Sequence, residues 1–124
     1  MAKILVADDD KTMLGLLTTL LELEGEEAIS VNKPDEILPA ARREKPDLIL
    51  MDVYLAGENA CRVLQTLKSD TQTKDIPVLM TSGMEMRDQC IRDGAEDFIL
   101  KPFRPVELIE RIRAIIESRV EPAP

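Results

Sequence analysis

Short apolar runs alternate with helix-period segments along the whole chain, and that alternation leaves very few folds open. The runs Ile4-Leu5-Val6-Ala7, Leu48-Ile49-Leu50-Met51, Pro77-Val78-Leu79-Met80 and Phe98-Ile99-Leu100 are apolar throughout, as strands covered on both faces should be. Glu27-Ala28-Ile29-Ser30-Val31 is partly alternating and reads as a further strand, second in chain order. Between the strands, Met13, Leu14, Leu17, Leu20 and Leu21 recur at helical spacing up to Gly25, a suitable helix stop. Pro34 can open a second helix through Glu44, with Ile37, Leu38 and Ala41 inward. Pro39 removes a backbone donor inside it and predicts a kink or a late start. Asn59 is placed to cap a third helix carrying Val63, Leu64 and Leu67, and a short fourth runs from Met86 to Arg92 and stops at Gly94. Leu108, Ile109, Ile112, Ile115 and Ile116 form the stripe of a fifth. Five strand-then-helix units around one core predict a doubly wound α/β fold, a (βα)5 three-layer sandwich on a five-stranded parallel sheet. One domain is expected over residues 1–120, with 121–124 (Glu-Pro-Ala-Pro) as a tail or linker stub.

Composition removes several function classes. The 124 residues carry a formal net charge of −8 and no clustered basic patch, so a direct nucleic-acid surface is not expected. No apolar stretch is long enough to span a bilayer and no signal-peptide core opens the chain, so a cytoplasmic location without membrane insertion is expected. With no histidine, the chain offers no phosphohistidine, no Ser-His-Asp triad and no imidazole-held zinc. Cys61 and Cys90 lack CxxC spacing, and each reads as a small buried hydrophobe on a helix.

Chemistry gathers where the strands end. The first run stops in Asp8-Asp9-Asp10, the third in Asp52, the fourth in Thr81-Ser82-Gly83 and the fifth in Lys101-Pro102. In an open parallel sheet these carboxyl ends form one ligand crevice. Three converging carboxylates repel one another unless a cation compensates. Mg²⁺ fits, because it binds through one or two carboxylates and takes phosphate oxygens besides. A carboxylate such as Asp52 can then attack a phosphoryl group, with Lys101 and the Ser82 hydroxyl neutralising its oxygens. Gly83 leaves room for the incoming group. Strand alternation lets only one of Thr81 and Ser82 face the site.

These residues resemble the receiver domain of two-component response regulators, of the chemotaxis-regulator kind, over essentially the whole chain. The resemblance is carried by Ile4-Leu5-Val6-Ala7-Asp8-Asp9, by Pro46 to Asp52, by Ile76 to Ser82 and by Gly94 to Phe103. It implies a flavodoxin-like strand order 2-1-3-4-5. It implies that Asp52 accepts a phosphoryl group from the phosphohistidine of a sensor histidine kinase or phosphotransfer protein. Asp8, Asp9, Asp52 and the backbone carbonyl of Tyr54 would hold Mg²⁺, and Lys101 would contact the phosphoryl group. Ser82, selected over Thr81 by its place in the motif, and Phe98 would form the switch pair. The Lys101-Pro102 bond would be cis. Output would pass to a downstream protein at the fourth helix, fifth strand and fifth helix, from a monomer or a phosphorylation-linked dimer. The chain would be no enzyme beyond its own phosphoryl transfer and slow dephosphorylation.

Some positions depart from the family pattern. Ala56 and Ala60 stand where the loop after the acceptor usually has Pro and Gly. The stretch from Ser82 to Lys101 is short by roughly one helical turn. Tyr54 and Met84 hold the positions that tune loss of the phosphoryl group. Neither can orient an attacking water, so a long-lived phosphoryl state is expected. Two other readings compete. Asp8-Asp9-Asp10-Lys11-Thr12 fits the DxDxT signature of haloacid-dehalogenase-like phosphatases, with Asp8 as nucleophile, although no acidic pair follows Lys101 in the place that family needs it. A pseudo-receiver, a non-phosphorylated binding module of the same fold, is the other.

Overall fold

The computed structural model describes residues 1–119; the expected tail at 121–124 lies outside them. Seven strands and five helices follow one another as β1 (Lys3–Ala7), α1 (Lys11–Leu23), β2 (Glu27–Val31), α2 (Pro34–Glu44), β3 (Leu48–Asp52), β4 (Tyr54–Leu55), β5 (Glu58–Asn59), α3 (Cys61–Ser69), β6 (Val78–Ser82), α4 (Arg87–Arg92), β7 (Asp97–Leu100) and α5 (Pro105–Ser118). Five of the strands form one parallel sheet in the order β2-β1-β3-β6-β7. Without the small β4-β5 pair this is the expected 2-1-3-4-5 order.

Alternation along the strands builds two cores. Leu5, Ala7, Ile49, Met51, Val78, Met80 and Phe98 face one side, where Ile37 of α2, Leu64 and Leu67 of α3 and Cys90 of α4 cover them. Ile4, Val6, Leu48, Leu50, Leu79 and Ile99 face the other, under Leu17 and Leu21 of α1 and Leu108, Ile109 and Ile112 of α5. Both faces are buried, which is why these runs carry no polar alternation.

Some local expectations are corrected. α2 begins at Pro34 and runs unbroken through Pro39, so the late start does not occur. One backbone bond is lost there, and burial of Ile37, Ala40 and Ala41 on either side holds the helix together. The cap of α3 is Ala60 and not Asn59; the Asn59 side-chain oxygen still accepts from the Cys61 N–H at 2.8 Å, one residue early. α4 has only 6 residues, in keeping with the short stretch between Ser82 and Lys101.

Two helices end the same way. After α1, Gly25 N–H donates to Glu22 O and Glu26 N–H to Leu21 O. After α4, Gly94 N–H donates to Ile91 O and Ala95 N–H to Cys90 O, closing the same two rings with the glycine at φ +110°. A Cβ at Gly94 would also fall 2.8 Å from Lys68 Cγ. Gly15, inside α1, has open space around it. The same change should therefore have opposite effects at these positions. Gly94→Ala is expected to destabilise by about 1–3 kcal/mol through backbone strain alone, and Gly15→Ala to stabilise by about 0.5–1 kcal/mol through helix propensity. Chemical denaturation of both variants measures the two signs.

Candidate functional site

β3 lies at the centre of the sheet, with β1 and β6 beside it and β7 next to β6. The four strands deliver Asp8, Asp52, Ser82 and Lys101 to one edge, because each run stops within a residue of the same level. Lys101 Nζ sits 2.9 Å from Asp52 Oδ2 and 3.2 Å from Asp8 Oδ2. Asp8, Asp9 and Asp52 each bring a carboxylate oxygen within 4.8 Å of the others. Backbone donors orient all three. Asp10 N–H donates to Asp8 Oδ1 at 3.0 Å, Tyr54 N–H to Asp52 Oδ1 at 3.2 Å and Ala56 N–H to Asp9 Oδ2 at 2.8 Å. The side chains are thus aimed before any ligand arrives.

The electrostatics report a shortage of positive charge. Burial pushes the Asp52 carboxyl above its ordinary range, Asp8 adds to this, and the Lys101 ammonium only partly offsets both. Burial alone would lower Lys101, but its hydrogen bond and ion pair with Asp52, and then Asp8, carry it upward. Acid and base both bind protons more tightly than in water, the acid chiefly because it is buried and the base because it pairs with both Asp52 and Asp8. A hard divalent cation meets that demand, and the carboxylate donor set suits Mg²⁺.

The other sequence-predicted residues stand around this cluster. Ser82 closes β6 at 1% exposure, and its Oγ accepts from the Met84 N–H at 3.1 Å. Thr81 is buried as well and pairs in register with Asp52. The Phe98 ring is already packed inward at 1% exposure, against the same core as Met80. Tyr54 and Met84 are exposed, at 42% and 57%. Asp10, the second aspartate of the DxDxT match, is the N-cap of α1, its Oδ1 accepting from the N–H groups of Thr12 and Met13. That role ties it to the helix.

Two arrangements were not legible in the sequence. Ala56 and Gly57 both adopt positive φ, at 50° and 79°, and turn the β4-β5 hairpin that carries the Ala56 N–H to Asp9. Alanine rarely takes that conformation, so only Gly57 hinted at the turn. Behind Phe98, Asp97 accepts from Arg87 Nη1 of α4 and Arg111 Nη1 of α5, each at 2.9 Å. Both arginines also reach the Phe98 carbonyl, at 2.7 and 3.1 Å. Burial would raise the Asp97 carboxyl, but the Phe98 N–H and the two guanidiniums hold it below its ordinary range. No periodicity marks such a three-element contact.

Comparison with known proteins gives a consistent picture. The family model described as the response regulator receiver domain matches residues 4–113. MtrA of Mycolicibacterium smegmatis, a DNA-binding response regulator, is 35% identical over 98% of this chain and 54% of its own length. The chain thus spans about half of that relative. PilH of Pseudomonas aeruginosa is 32% identical over 94% of this chain and 98% of its own. Among solved structures, the receiver domain of Francisella response regulator 1452 superposes with a TM-score of 0.87 at 26% identity, covering 95% of this chain and 98% of that one.

The raised Asp52 carboxyl has a stability consequence. A group that binds its proton more tightly folded than unfolded stabilises the fold below its unfolded pKa, and that contribution is lost as pH rises through the folded pKa. Asp52→Asn removes the buried charge, with the Lys101 attraction already inside that balance. Without divalent cations the variant is expected to melt above the wild type at neutral pH. The gain should shrink as pH falls into the carboxylate range, where wild-type Asp52 takes up its own proton. Thermal melts in chelator at two pH values measure this; a variant less stable than wild type at neutral pH would contradict it.

Proposed function

This chain belongs to the response regulator receiver family, and on that footing we propose that it is a signalling switch phosphorylated on Asp52. The observation that carries the reading is the placement of Lys101 Nζ between Asp52 and Asp8, with Asp9 alongside. The phosphoryl source is a partner's phosphohistidine, on a sensor histidine kinase or a phosphotransfer protein. An Asp52 oxygen attacks phosphorus, the N–P bond breaks, and the imidazole leaves. Lys101 then pairs with a phosphoryl oxygen in place of Asp52 Oδ2. Ser82 Oγ, which accepts the Met84 N–H, keeps its own proton free to donate to another. Asp8, Asp9, Asp52 and the Tyr54 carbonyl would hold Mg²⁺, which when bound neutralises charge on the transferring group.

Phosphorylation biases a two-state packing of Ser82 and Phe98. Phe98 has no hydroxyl to draw its ring toward solvent, and the ring stands inward here. The change would reach α4, β7 and α5, where Arg87 and Arg111 meet at Asp97, and would be read by a protein partner. At −8 net charge the domain itself offers no general phosphate-backbone surface. Among the described residues no helix is long and apolar enough to cross a membrane.

Intact-mass measurement after incubation with acetyl phosphate and Mg²⁺ tests the acceptor. One phosphoryl adduct is expected on the wild type, and none on Asp52→Ala or in the presence of chelator. An adduct that persists on Asp52→Ala would overturn the assignment. The exposed Tyr54 and Met84 further predict slow loss of the group, since neither side chain can position water for attack. Tyr54→Asn and Met84→Glu should each shorten the phosphoryl lifetime severalfold. Equal decay in both variants and the wild type rules that out.

A further inference from the structure

Of the three clustered carboxylates, Asp9 is the one that charge does not fix. Asp8 and Asp52 are drawn inward by Lys101, at 3.2 and 2.9 Å. Asp9 is exposed, and among the described residues its carboxylate accepts one hydrogen bond, from the Ala56 N–H to Oδ2 at 2.8 Å. Its oxygen nonetheless lies within 4.8 Å of those of Asp8 and Asp52. Like charges at that range repel, and a short exposed side chain has other rotamers open to it. The backbone N–H of Ala56 opposes that escape.

The donor is built into a tight turn. Leu55 pairs with Glu58 across the two residues Ala56 and Gly57, whose φ angles are 50° and 79°. In such a hairpin the closing bond joins the outer residues, which leaves the Ala56 N–H available to Asp9. The hairpin is anchored from below: Leu55 and Ala60 are fully buried, and the Ala60 N–H donates to Val53 O at 2.6 Å. Positive φ is unfavourable for alanine. Proline, which the family pattern usually has at this place, can neither adopt that angle nor supply an N–H. An alanine held in a strained conformation at the point where its donor meets Asp9 points to a role for that donor. We propose that Ala56 is a positioning residue for the divalent cation, its N–H keeping Asp9 beside Asp8 and Asp52 and so setting the Mg²⁺ affinity of the cluster. The proposal rests on the reading of that cluster as the Mg²⁺ site of a phosphorylated switch. With the bond in place the third carboxylate is already in position when the cation arrives; without it Asp9 turns toward solvent and must be recruited.

The test separates the donor from the turn. An ester analogue of the full chain, with lactic acid in place of alanine at position 56 and assembled by ligation at Cys61, exchanges that N–H for an oxygen and keeps the side chain. Ala56→Gly keeps the N–H on a residue that accepts positive φ. Isothermal titration with Mg²⁺ alone is expected to show binding weakened about 10-fold in the ester analogue and within about twofold of wild type in Ala56→Gly. In a chain that also carries Asp9→Ala, the ester exchange should weaken binding no further, because no carboxylate is left to position. With acetyl phosphate, the ester analogue should need about 10-fold more Mg²⁺ for half-maximal adduct formation, yet reach the wild-type rate at saturation. An ester analogue that binds Mg²⁺ as the wild type does, or Ala56→Gly as weak as the ester, overturns the proposal. So does an equal loss in the Asp9→Ala chain, or a slow rate at saturating Mg²⁺, since either would place the damage outside Asp9. A wild type that binds Mg²⁺ but gains no adduct would refute the phosphorylation reading and leave the binding comparison standing.

Discussion

One ammonium among three carboxylates is the constraint on which the rest of this structure depends. Two unit charges about 4 Å apart interact by about 4 kcal/mol at an effective dielectric of 20, so the cluster of Asp8, Asp9 and Asp52 opposes folding wherever Lys101 fails to compensate. The sheet supplies the opposing force. Ala7 and Met51, one residue before Asp8 and Asp52, are fully packed, and strand pairing fixes their relative height. Carboxylates carried on such strands cannot move apart without unpacking the core. The backbone N–H groups of Asp10, Tyr54 and Ala56 then set the direction in which each points. A site of this kind is less stable empty than filled, which is the condition for coupling its occupancy to the conformation of the whole domain.

The sheet was readable because two buried faces leave strands apolar from end to end, and chemistry-bearing residues appear only where they stop. Leu48 to Asp52 shows this in five residues. The carboxylate and lysine cluster followed from the same rule, since strand ends of one parallel sheet must share an edge. What escaped the sequence was either rare local geometry or contact between distant segments. Ala56 at positive φ contradicts alanine's own preference and is held by the hairpin around it and by Asp9. Asn59 has the right chemistry for a cap but sits one residue early, because Ala60 must enter the core and donate to Val53 O. The meeting of Arg87, Asp97 and Arg111 depends on how α4 and α5 flank β7, which no window along the chain contains.

α4 is where these constraints converge. It has 6 residues, lacks a side-chain cap at its start, and ends on a glycine-dependent turn, so little of its stability is its own. It is held instead at its ends. At one end Arg87 binds Asp97 and the Phe98 carbonyl. At the other Asp93 binds Gln65, and Cys90 packs beneath α3. The chain entering it leaves Ser82 only a few residues earlier, and the Ser82 hydroxyl holds the Met84 N–H on the way.

A displacement of the Ser82 hydroxyl toward a group on Asp52 would release that N–H bond at the mouth of α4. The Arg87 contacts, which reach the backbone of Phe98, lie next in line. A helix with strong internal stability would absorb such a change; one held chiefly by its neighbours must shift with them or exchange partners. Shortness is therefore a property with consequence here. It makes the contacts on α3, β7 and α5 the determinants of α4's position. Any event that alters one of them, at the carboxylate cluster or at the Gln65–Asp93 contact, competes for the same small helix.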